Sequence, residues 1–275
     1  MKITRRHFLG LSGALGLASC ARVKQVTPDV NLGRLRPGFG SRDFTFAAIN
    51  DTHVLDTRSA AIVNHAVRSI NADERVQFTV ILGDIATDGR YQELNLAKVA
   101  FDQLDKPYFA VPGNHDVYMP AKDIFGNYRL AFGAPHWTEN TRGWLFIGLN
   151  SCEEDKSDVL VQPAELEWLG KVLGRANRER PIALLAHHPF NPNTKAYRVK
   201  NADEILAMFS EHNLKLVAAG HYHGNQVEEH EGVLFTTTAC CSTTRDNHDN
   251  TPEKGYRLFH VTGETLETEF VVVQS

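Results

Sequence analysis

The chain has 275 residues, of which 42% are hydrophobic and 23% are charged, and its formal net charge is −4. This is an ordinary globular composition, and the length allows one large domain or two small ones. We find no internal repeat and no low-complexity tract. The negative charge gives no basic field for a nucleic-acid backbone, so a nucleic-acid partner is not expected.

The N-terminus has the features of an export signal. Residues 4–9, TRRHFL, resemble the twin-arginine export signature, and they lead into a short apolar stretch that ends at Ala18. That stretch is too short to span a bilayer as a helix. It ends in residues 17–20, LASC, which resemble a bacterial lipobox, in which the Cys is lipidated and becomes the new N-terminus. An ordinary cleaved signal peptide with an incidental Cys20 is the alternative.

These features divide the chain into three parts. Residues 1–20 are expected to be the signal peptide, residues 21–42 a linker with several Pro and Gly, and residues 43–275 the folded domain. We therefore expect an exported protein, a periplasmic or cell-envelope lipoprotein that its N-terminal lipid holds at the membrane. Removal of the signal takes away three positive charges, so the mature protein is more acidic than the whole chain. The oligomeric state stays open.

Strands and helices are predicted to alternate through most of the domain. Short apolar runs indicate strands that are buried on both faces, and apolar residues at helical spacing indicate the helices between them. Such alternation implies βαβ units and a parallel sheet. The predicted strands are 44–50, 78–82, 108–111, 144–149, 182–186 and 216–219, and the predicted helices are 59–71, 92–104, 163–176 and one opened by residues 201–204, which resemble an N-capping box.

Two stretches depart from this alternation. Segment 118–142 is rich in aromatic residues and Gly and lacks the regularity of a long element, so we expect it to form a lid or one wall of a site. The last four predicted strands are joined without helices, and we expect them to pair antiparallel. These strands are 226–230, 233–238, 256–261 and 266–273.

Five short polar clusters follow predicted strands, at the point where each strand ends. They offer carboxylates, an amide oxygen and several imidazoles, which suit Mn²⁺, Fe or Zn²⁺ better than a structural zinc cage built from Cys. They are too many for one tetrahedral ion. If one carboxylate bridges, they suffice for two ions about 3.5–4 Å apart, the arrangement used for phosphoester hydrolysis. The clusters are Asp51-Thr52-His53, Gly83-Asp84, Gly113-Asn114-His115-Asp116, His187-His188-Pro189 and Gly220-His221-Tyr222-His223.

The order D-x-H, G-D, G-N-H-D, H-H-P and G-H-x-H resembles the calcineurin-like metallophosphoesterase superfamily. Spacing and length are most similar to its phosphodiesterase-like branch, the class III cyclic-nucleotide and glycerophosphodiester phosphodiesterases. The motifs run from Asp51 to His223 and so cover most of the mature chain. Resemblance and predicted elements imply the same α/β fold, a four-layer α/β/β/α sandwich with two mixed central sheets and ligands at the carboxyl ends of strands.

The resemblance implies two divalent or trivalent metal ions that share one bridging carboxylate, Asp84. A water or hydroxide between the ions would attack phosphorus in line, with its pKa lowered by both charges. The ligands implied for the first ion are Asp51, His53, Asp84 and His223, and those implied for the second are Asp84, Asn114, His187 and His221.

His115 is expected to be the catalytic group that is not a ligand. Its neighbour Asn114 reaches the metal, which leaves the imidazole to donate toward the phosphoryl or leaving-group oxygen. Asp88 is a candidate to orient that ring, with a solvated loop carboxylate as the alternative. His188 is expected to face the pocket mouth or a neighbouring loop rather than a metal, and Asp116 to accept backbone N–H groups.

Substrate contacts are expected from the loops that follow the ligands. Phe190 and Asn191 come just after His187 and should lie near the metals. Arg245 is the sole cation of the polar segment 243–252 and could clamp a substrate phosphate or carboxylate. A hydrophilic surface loop is the alternative for this segment.

Three cysteines remain after Cys20, an odd number for an exported protein. A bridge from Cys152 to Cys240 or Cys241 is conceivable. We favour three buried free thiols, because nothing in the sequence resembles a disulfide framework.

The motifs favour a lipid-anchored phosphodiesterase that acts on a small phosphoester of the nucleotide or glycerophospho type. A phosphomonoesterase or phosphoprotein phosphatase of the same fold is the alternative within enzymes. A non-catalytic metal-binding scaffold is an alternative of another class. It is disfavoured because every implied ligand and His115 are present.

Overall fold

The computed structural model describes residues 43–194 and 196–274. The predicted signal peptide, the linker and the lipidation site Cys20 lie outside the described residues and stay predictions. Within the described part, no helix combines the length and the apolar character needed to cross a membrane.

Eleven strands and five α-helices follow one another along the described chain. The strands are β1 (Phe44–Ile49), β2 (Val76–Leu82), β3 (Tyr108–Val111), β4 (Trp137–Thr141), β5 (Trp144–Gly148), β6 (Pro181–Leu185), β7 (Asn213–Ala219), β8 (Gln226–His230), β9 (Val233–Thr237), β10 (Gly255–Thr262) and β11 (Thr265–Val272). The helices are α1 (Ala60–Ala72), α2 (Tyr91–Phe101), α3 (Gly126–Phe132), α4 (Pro163–Leu173) and α5 (Ala202–Ala207), and a short 3₁₀ turn, Asn114–Asp116, follows β3.

The strands form two mixed sheets. The first has the order β11-β10-β1-β2-β3 and the second the order β4-β5-β6-β7-β9-β8. Neighbours among β1, β2 and β3, and among β5, β6, β7 and β9, pair parallel, and the remaining pairs are antiparallel. The predicted antiparallel pairs β8–β9 and β10–β11 form, but they belong to different sheets, and β9 also pairs parallel with β7.

The two sheets face each other across an aromatic core. The Phe46 ring stacks on Phe78 and Phe259, with centroids 5.1 and 4.7 Å away, and Phe146 of the opposite sheet meets it edge-on at 5.3 Å. Aromatic pairs of this kind add about 0.5–1.5 kcal/mol beyond the area that they bury. Two further apolar cores lie outside the sheets, one under α1 and α2 and the other under α4 and α5. The predicted four-layer α/β/β/α sandwich is confirmed.

The sequence pattern of each element matches the surface that it buries. In α1, Ile62, Val63, Ala66, Val67 and Ile70 are buried, and their spacing places them on the one face that packs on the first sheet. β2 is buried along nearly its whole length, because helices cover one face of its sheet and the second sheet covers the other. Its sequence is therefore an almost continuous apolar run.

Two local predictions need correction. Segment 118–142 lacks a long element, as predicted, but it contains the short α3 and β4, and Trp137 of β4 belongs to the core between the sheets and not to a lid, because its Nε1 donates there to the Ala110 carbonyl at 2.8 Å. α5 begins directly after Asn201, as predicted, but the Asn201 side chain does not cap it. That side chain pairs instead with the backbone N–H and C=O of Val161, which ties α5 to the loop before α4.

The parallel strands direct their carboxyl ends to one edge of the sandwich. β1, β2, β3, β6 and β7 each end within three residues of a polar cluster. Since the ends of parallel strands meet at the same edge, clusters that are far apart in the sequence come together there.

Candidate metal centre

Four buried residues form a first donor group at this edge. Asp51, His53, Asp84 and His223 place their ligand atoms within 4.8 Å of one another. His223 Nε2 is 3.2 Å from Asp51 Oδ1. Two carboxylates and two imidazoles thus converge on one small space.

A second donor group lies beside it, formed by Asn114, His187 and His221. His187 Nε2 is 3.1 Å from His221 Nδ1 and 3.3 Å from Asn114 Oδ1. His188 is also within ligand-forming distance of the two imidazoles. The structure therefore brings together all seven residues that the resemblance implied as ligands, and they form two candidate metal sites.

Asp84 lies between the two donor groups. Its Oδ2 is 3.5 Å from His53 Nε2 of the first group, and its Oδ1 is 3.3 Å from His187 Nε2 of the second. Oδ1 also accepts the backbone N–H of His115 at 2.8 Å, which orients the carboxylate. Gly113 permits this close approach, because a Cβ there would lie 2.1 Å from Asp84 Oδ1. Each carboxylate oxygen faces a different group, as a bridging ligand requires.

Backbone strain is concentrated at the candidate ligands. Asp51, His53, Asp84, His221 and His223 all have positive φ values, between 42° and 63°. A side chain in this left-handed region costs about 1–3 kcal/mol and persists only where the surrounding structure enforces it. The fold therefore holds these five side chains in place at a cost in stability.

Backbone carbonyl oxygens hold the outer nitrogens of three ligand imidazoles. The pairs are His187 Nδ1 with Leu82 at 2.8 Å, His221 Nε2 with Ser157 at 3.0 Å, and His223 Nδ1 with Asp246 at 3.0 Å. A carbonyl only accepts, so the nitrogen that it contacts carries a proton and the opposite ring nitrogen points into the site. Sequence reasoning missed these carbonyls, because a backbone group has no residue-type signal.

Charge pairs set the ionisation of three candidate ligands. Burial raises the pKa of Asp51, but the neighbouring His223 outweighs this and lowers it to about 2. Burial lowers the pKa of His223, and Asp51 outweighs that and raises it to about 11. His187 behaves like His223, since burial lowers its pKa and the Asp84 carboxylate raises it to about 9.

His53 and His221 are neutral instead. Burial lowers the pKa of His53 to about 3 and that of His221 to about 4, and a neutral imidazole is the form that binds metals. Neither ring nitrogen of His53 has a hydrogen-bond partner among the described residues, although both are buried. An unpaired buried polar atom costs about 1–3 kcal/mol, and a cation at the first donor group would satisfy one of these two. The donor set therefore fits metal ions.

His115 lies beside the first donor group but outside it. Its ring is 4.8 Å from that of His53, at 78°. His115 Nδ1 is 2.7 Å from the Thr87 carbonyl oxygen, so Nε2 is the atom left to act in the site. The predicted role of Asp88 is wrong, because its carboxylate is 46% exposed and pairs with Arg90 at 3.2 Å. The Thr87 carbonyl orients the ring in its place.

Two polar residues next to the ligands have structural partners. Asp116 accepts the backbone N–H groups of Ala86 and Gly113, each at 2.8 Å, as predicted. His188 is fully buried, and its Nδ1 lies 2.8 Å from Ser151 Oγ. Its Nδ1 faces a neighbouring loop, which was one of its two predicted positions. Its ring also groups with His187 and His221, and its buried Nε2 has no hydrogen-bond partner among the described residues, so His188 is a further candidate ligand of the second donor group.

Two of the three residues predicted to contact substrate are used elsewhere. Phe190 is 1% exposed and belongs to the apolar core under α4 and α5. Asn191 is buried, and its Oδ1 accepts the backbone N–H of Asn193. Arg245 lines a cavity of about 530 Å³ with Ile62 and C-terminal residues, and that lining includes none of the seven candidate ligands. The predictions for Phe190 and Asn191 are wrong, because core packing and turn formation occupy their side chains, whereas the substrate contact of Arg245 stays a prediction.

Cys152, Cys240 and Cys241 are all buried free thiols, so the favoured interpretation is confirmed and the alternative bridge from Cys152 is absent. Burial raises the pKa of Cys152 and of Cys241. These two thiols stay protonated at neutral pH and are not ligands in that form.

The donor groups and the fold that carries them indicate the kind of enzyme. A two-sheet sandwich carries, at the carboxyl ends of its strands, two buried donor groups joined by one carboxylate, which is the arrangement of a metal-dependent phosphoric ester hydrolase. The family model for calcineurin-like phosphoesterases matches residues 44–225, and the chain belongs to this family.

Individual relatives are similar over most of the chain. It is 28% identical over 217 residues to a probable cyclic nucleotide phosphodiesterase of Synechococcus, a match that covers 74% of this chain and 82% of that protein. It is 26% identical over 209 residues to a probable glycerophosphodiester phosphodiesterase of Arcobacter nitrofigilis, a match that covers 70% of this chain and 76% of that protein. A purple acid phosphatase from yellow lupin seeds has the same fold, with a TM-score of 0.67 at 10% identity over 85% of this chain and 52% of that one.

Proposed function

We propose that this protein is a dinuclear-metal phosphodiesterase that hydrolyses a small phosphoester. The observation that carries the proposal is the position of Asp84, with one oxygen toward His53 and the other toward His187. Two cations held by the donor groups would share this carboxylate. The relatives named as cyclic nucleotide and glycerophosphodiester phosphodiesterases support a diester as the substrate.

Two bound cations would supply Lewis acidity toward the phosphoryl oxygens and would lower the pKa of the attacking water. The first donor group would hold one ion with two carboxylates and two imidazoles. The second would hold the other with one amide oxygen, two imidazoles and the shared Asp84. Iron, manganese and zinc suit this mixture of oxygen and imidazole donors.

His115 would act on the leaving group. The Thr87 carbonyl accepts from Nδ1, so that Nε2 is the ring atom that can exchange a proton with the substrate. A proton on Nε2 can pass to the leaving oxygen as the ester bond breaks. The hydrogen bond from the His115 backbone N–H to Asp84 keeps this ring at a set distance from the bridging carboxylate.

A pair of aryl esters tests the proposal. Metal content and turnover of bis(4-nitrophenyl) phosphate and 4-nitrophenyl phosphate are measured on the same preparation. A phosphodiesterase binds two ions and prefers the diester. A preference for the monoester would favour the phosphomonoesterase or phosphoprotein phosphatase, and two bound ions without turnover of either ester would favour the scaffold.

We also propose that the protein is exported and that a lipid on Cys20 holds it at the membrane. The twin-arginine motif supports this, because that route carries folded proteins and lets the ions bind before export. Residues 21–42 would then tether the domain with a span on the order of 25 Å. Fatty-acid labelling should mark the wild type and not Cys20→Ser. Equal labelling of both would refute the lipobox, and cytoplasmic retention of the wild type would refute export.

A further inference from the structure

Two aromatic side chains outside the donor groups lie against the candidate ligands. The Tyr197 ring centroid is 5.0 Å from that of His221, and the His248 ring centroid is 5.1 Å from that of His223. Tyr197 and His248 are 5.8 Å from each other. The two rings therefore connect a ligand of the second donor group with a ligand of the first.

Local hydrogen bonds position the two segments that carry these rings. Tyr197 has a φ of 61°, in the same strained region as the ligands. Its neighbour Arg198 donates from Nε to the Phe190 carbonyl at 3.3 Å, and the His248 N–H donates to the His223 carbonyl at 3.0 Å. A strained residue next to a site points to a functional position, because strain persists only where the structure enforces it.

Core packing does not explain these rings. Tyr197 is half-buried and His248 is exposed, whereas Phe46 and Tyr128 of the core are fully buried. Tyr222, also half-buried, lies 6.2 Å from His248 and extends the surface. Three partly exposed rings thus form an aromatic surface beside the two donor groups.

We propose that Tyr197, Tyr222 and His248 form a subsite that binds the nucleobase of a nucleoside phosphodiester. This inference rests on the proposed phosphodiesterase function and names its substrate class. Every nucleobase has a π-face that stacks on aromatic side chains, while a glycerol or other alkyl group has none. Stacking of one base on one ring changes affinity by about tenfold, so the subsite should favour nucleotide diesters over glycerophosphodiesters.

Paired substrates test the subsite. The ratio of kcat/KM for 3′,5′-cyclic AMP to that for glycerophosphoethanolamine should fall about tenfold in Tyr197→Leu and in His248→Leu. Tyr197→Phe and His248→Phe keep a ring and should keep the ratio. His230→Leu replaces an exposed histidine at the end of β8 and serves as the matched control.

An unchanged ratio in both leucine variants, or an equal loss on both substrates, would overturn the subsite. If the wild type hydrolyses neither diester, the proposed function fails, and the subsite is then judged by equilibrium binding of AMP against glycerol 3-phosphate. Weaker binding of AMP alone in the leucine variants would support it. Equal binding of AMP by the leucine variants and the wild type would overturn it.

Discussion

The two donor groups differ in charge. The first contains two carboxylates, Asp51 and Asp84, whereas the second has only the shared Asp84 and the neutral amide of Asn114. His223 has its own carboxylate partner at 3.2 Å, but His187 depends on the shared one at 3.3 Å. Because attraction for a cation grows with the negative charge around it, we infer that the first group retains its ion more tightly. The second would leave its ion more electron-poor and a better Lewis acid.

Asp84→Asn should impair both donor groups at once, because Asp84 belongs to both. A carboxamide cannot present an anionic oxygen to each of two cations, so we expect the loss of at least one ion. The value of kcat/KM should fall by about 10³-fold or more. Elemental analysis and diester kinetics on the same sample measure both effects. Two ions per chain with near-normal turnover would contradict the two-metal interpretation.

His115→Ala should separate chemistry from metal binding, because His115 lies outside both groups. We expect kcat to fall by about 10²- to 10⁴-fold for diesters with poor leaving groups, with both ions retained. The loss should be smallest for nitrophenyl esters, which depart without a proton. A variant that loses metal would show that His115 had been wrongly placed outside the ligands.

Asn114→Ala and Asp51→Asn should each lower the metal affinity of one donor group. Asn114→Ala is expected to lower the affinity for the second ion by at least about tenfold and to leave the first ion bound. Asp51→Asn should lower the affinity for the first ion. Titration of the metal-depleted variants with Zn²⁺ measures each affinity. Loss of the same ion in both variants would mean that the groups do not act as separate sites.

The most gradual predicted effect is the pH dependence of metal uptake. Without a cation, the pKa of His223 is raised to about 11 and that of His187 to about 9, so both are protonated at pH 7. Each ion must displace such a proton, so its affinity should rise with pH, by about tenfold per unit between pH 6 and pH 8. His53 and His221, with pKa values of about 3 and 4, are already neutral and add no slope. An affinity that is flat over this window would refute the assignment.

Prediction from the sequence succeeded where residue type and strand position carry the information. β2 is an apolar run that Gly83-Asp84 follows, and its burial between helices and a second sheet explains the apolar run. Prediction failed for Asp88, because a charged residue near a ligand in the sequence can pair with another charged residue at the surface instead. It also failed for Phe190. This residue follows a ligand in the sequence, but its side chain packs in the apolar core.

The order of the ligands, their chemistry and the sheet edge at which they meet follow from residue type and strand pattern, because each polar cluster follows an apolar strand and the carboxyl ends of parallel strands share one edge. The tertiary structure was needed to show which oxygen of Asp84 faces which group. It alone supplied the carbonyls that orient the imidazoles and brought Tyr197 to His248. The physical reason is that backbone carbonyls are the same at every position, and that contacts between loops depend on how the two sheets pack.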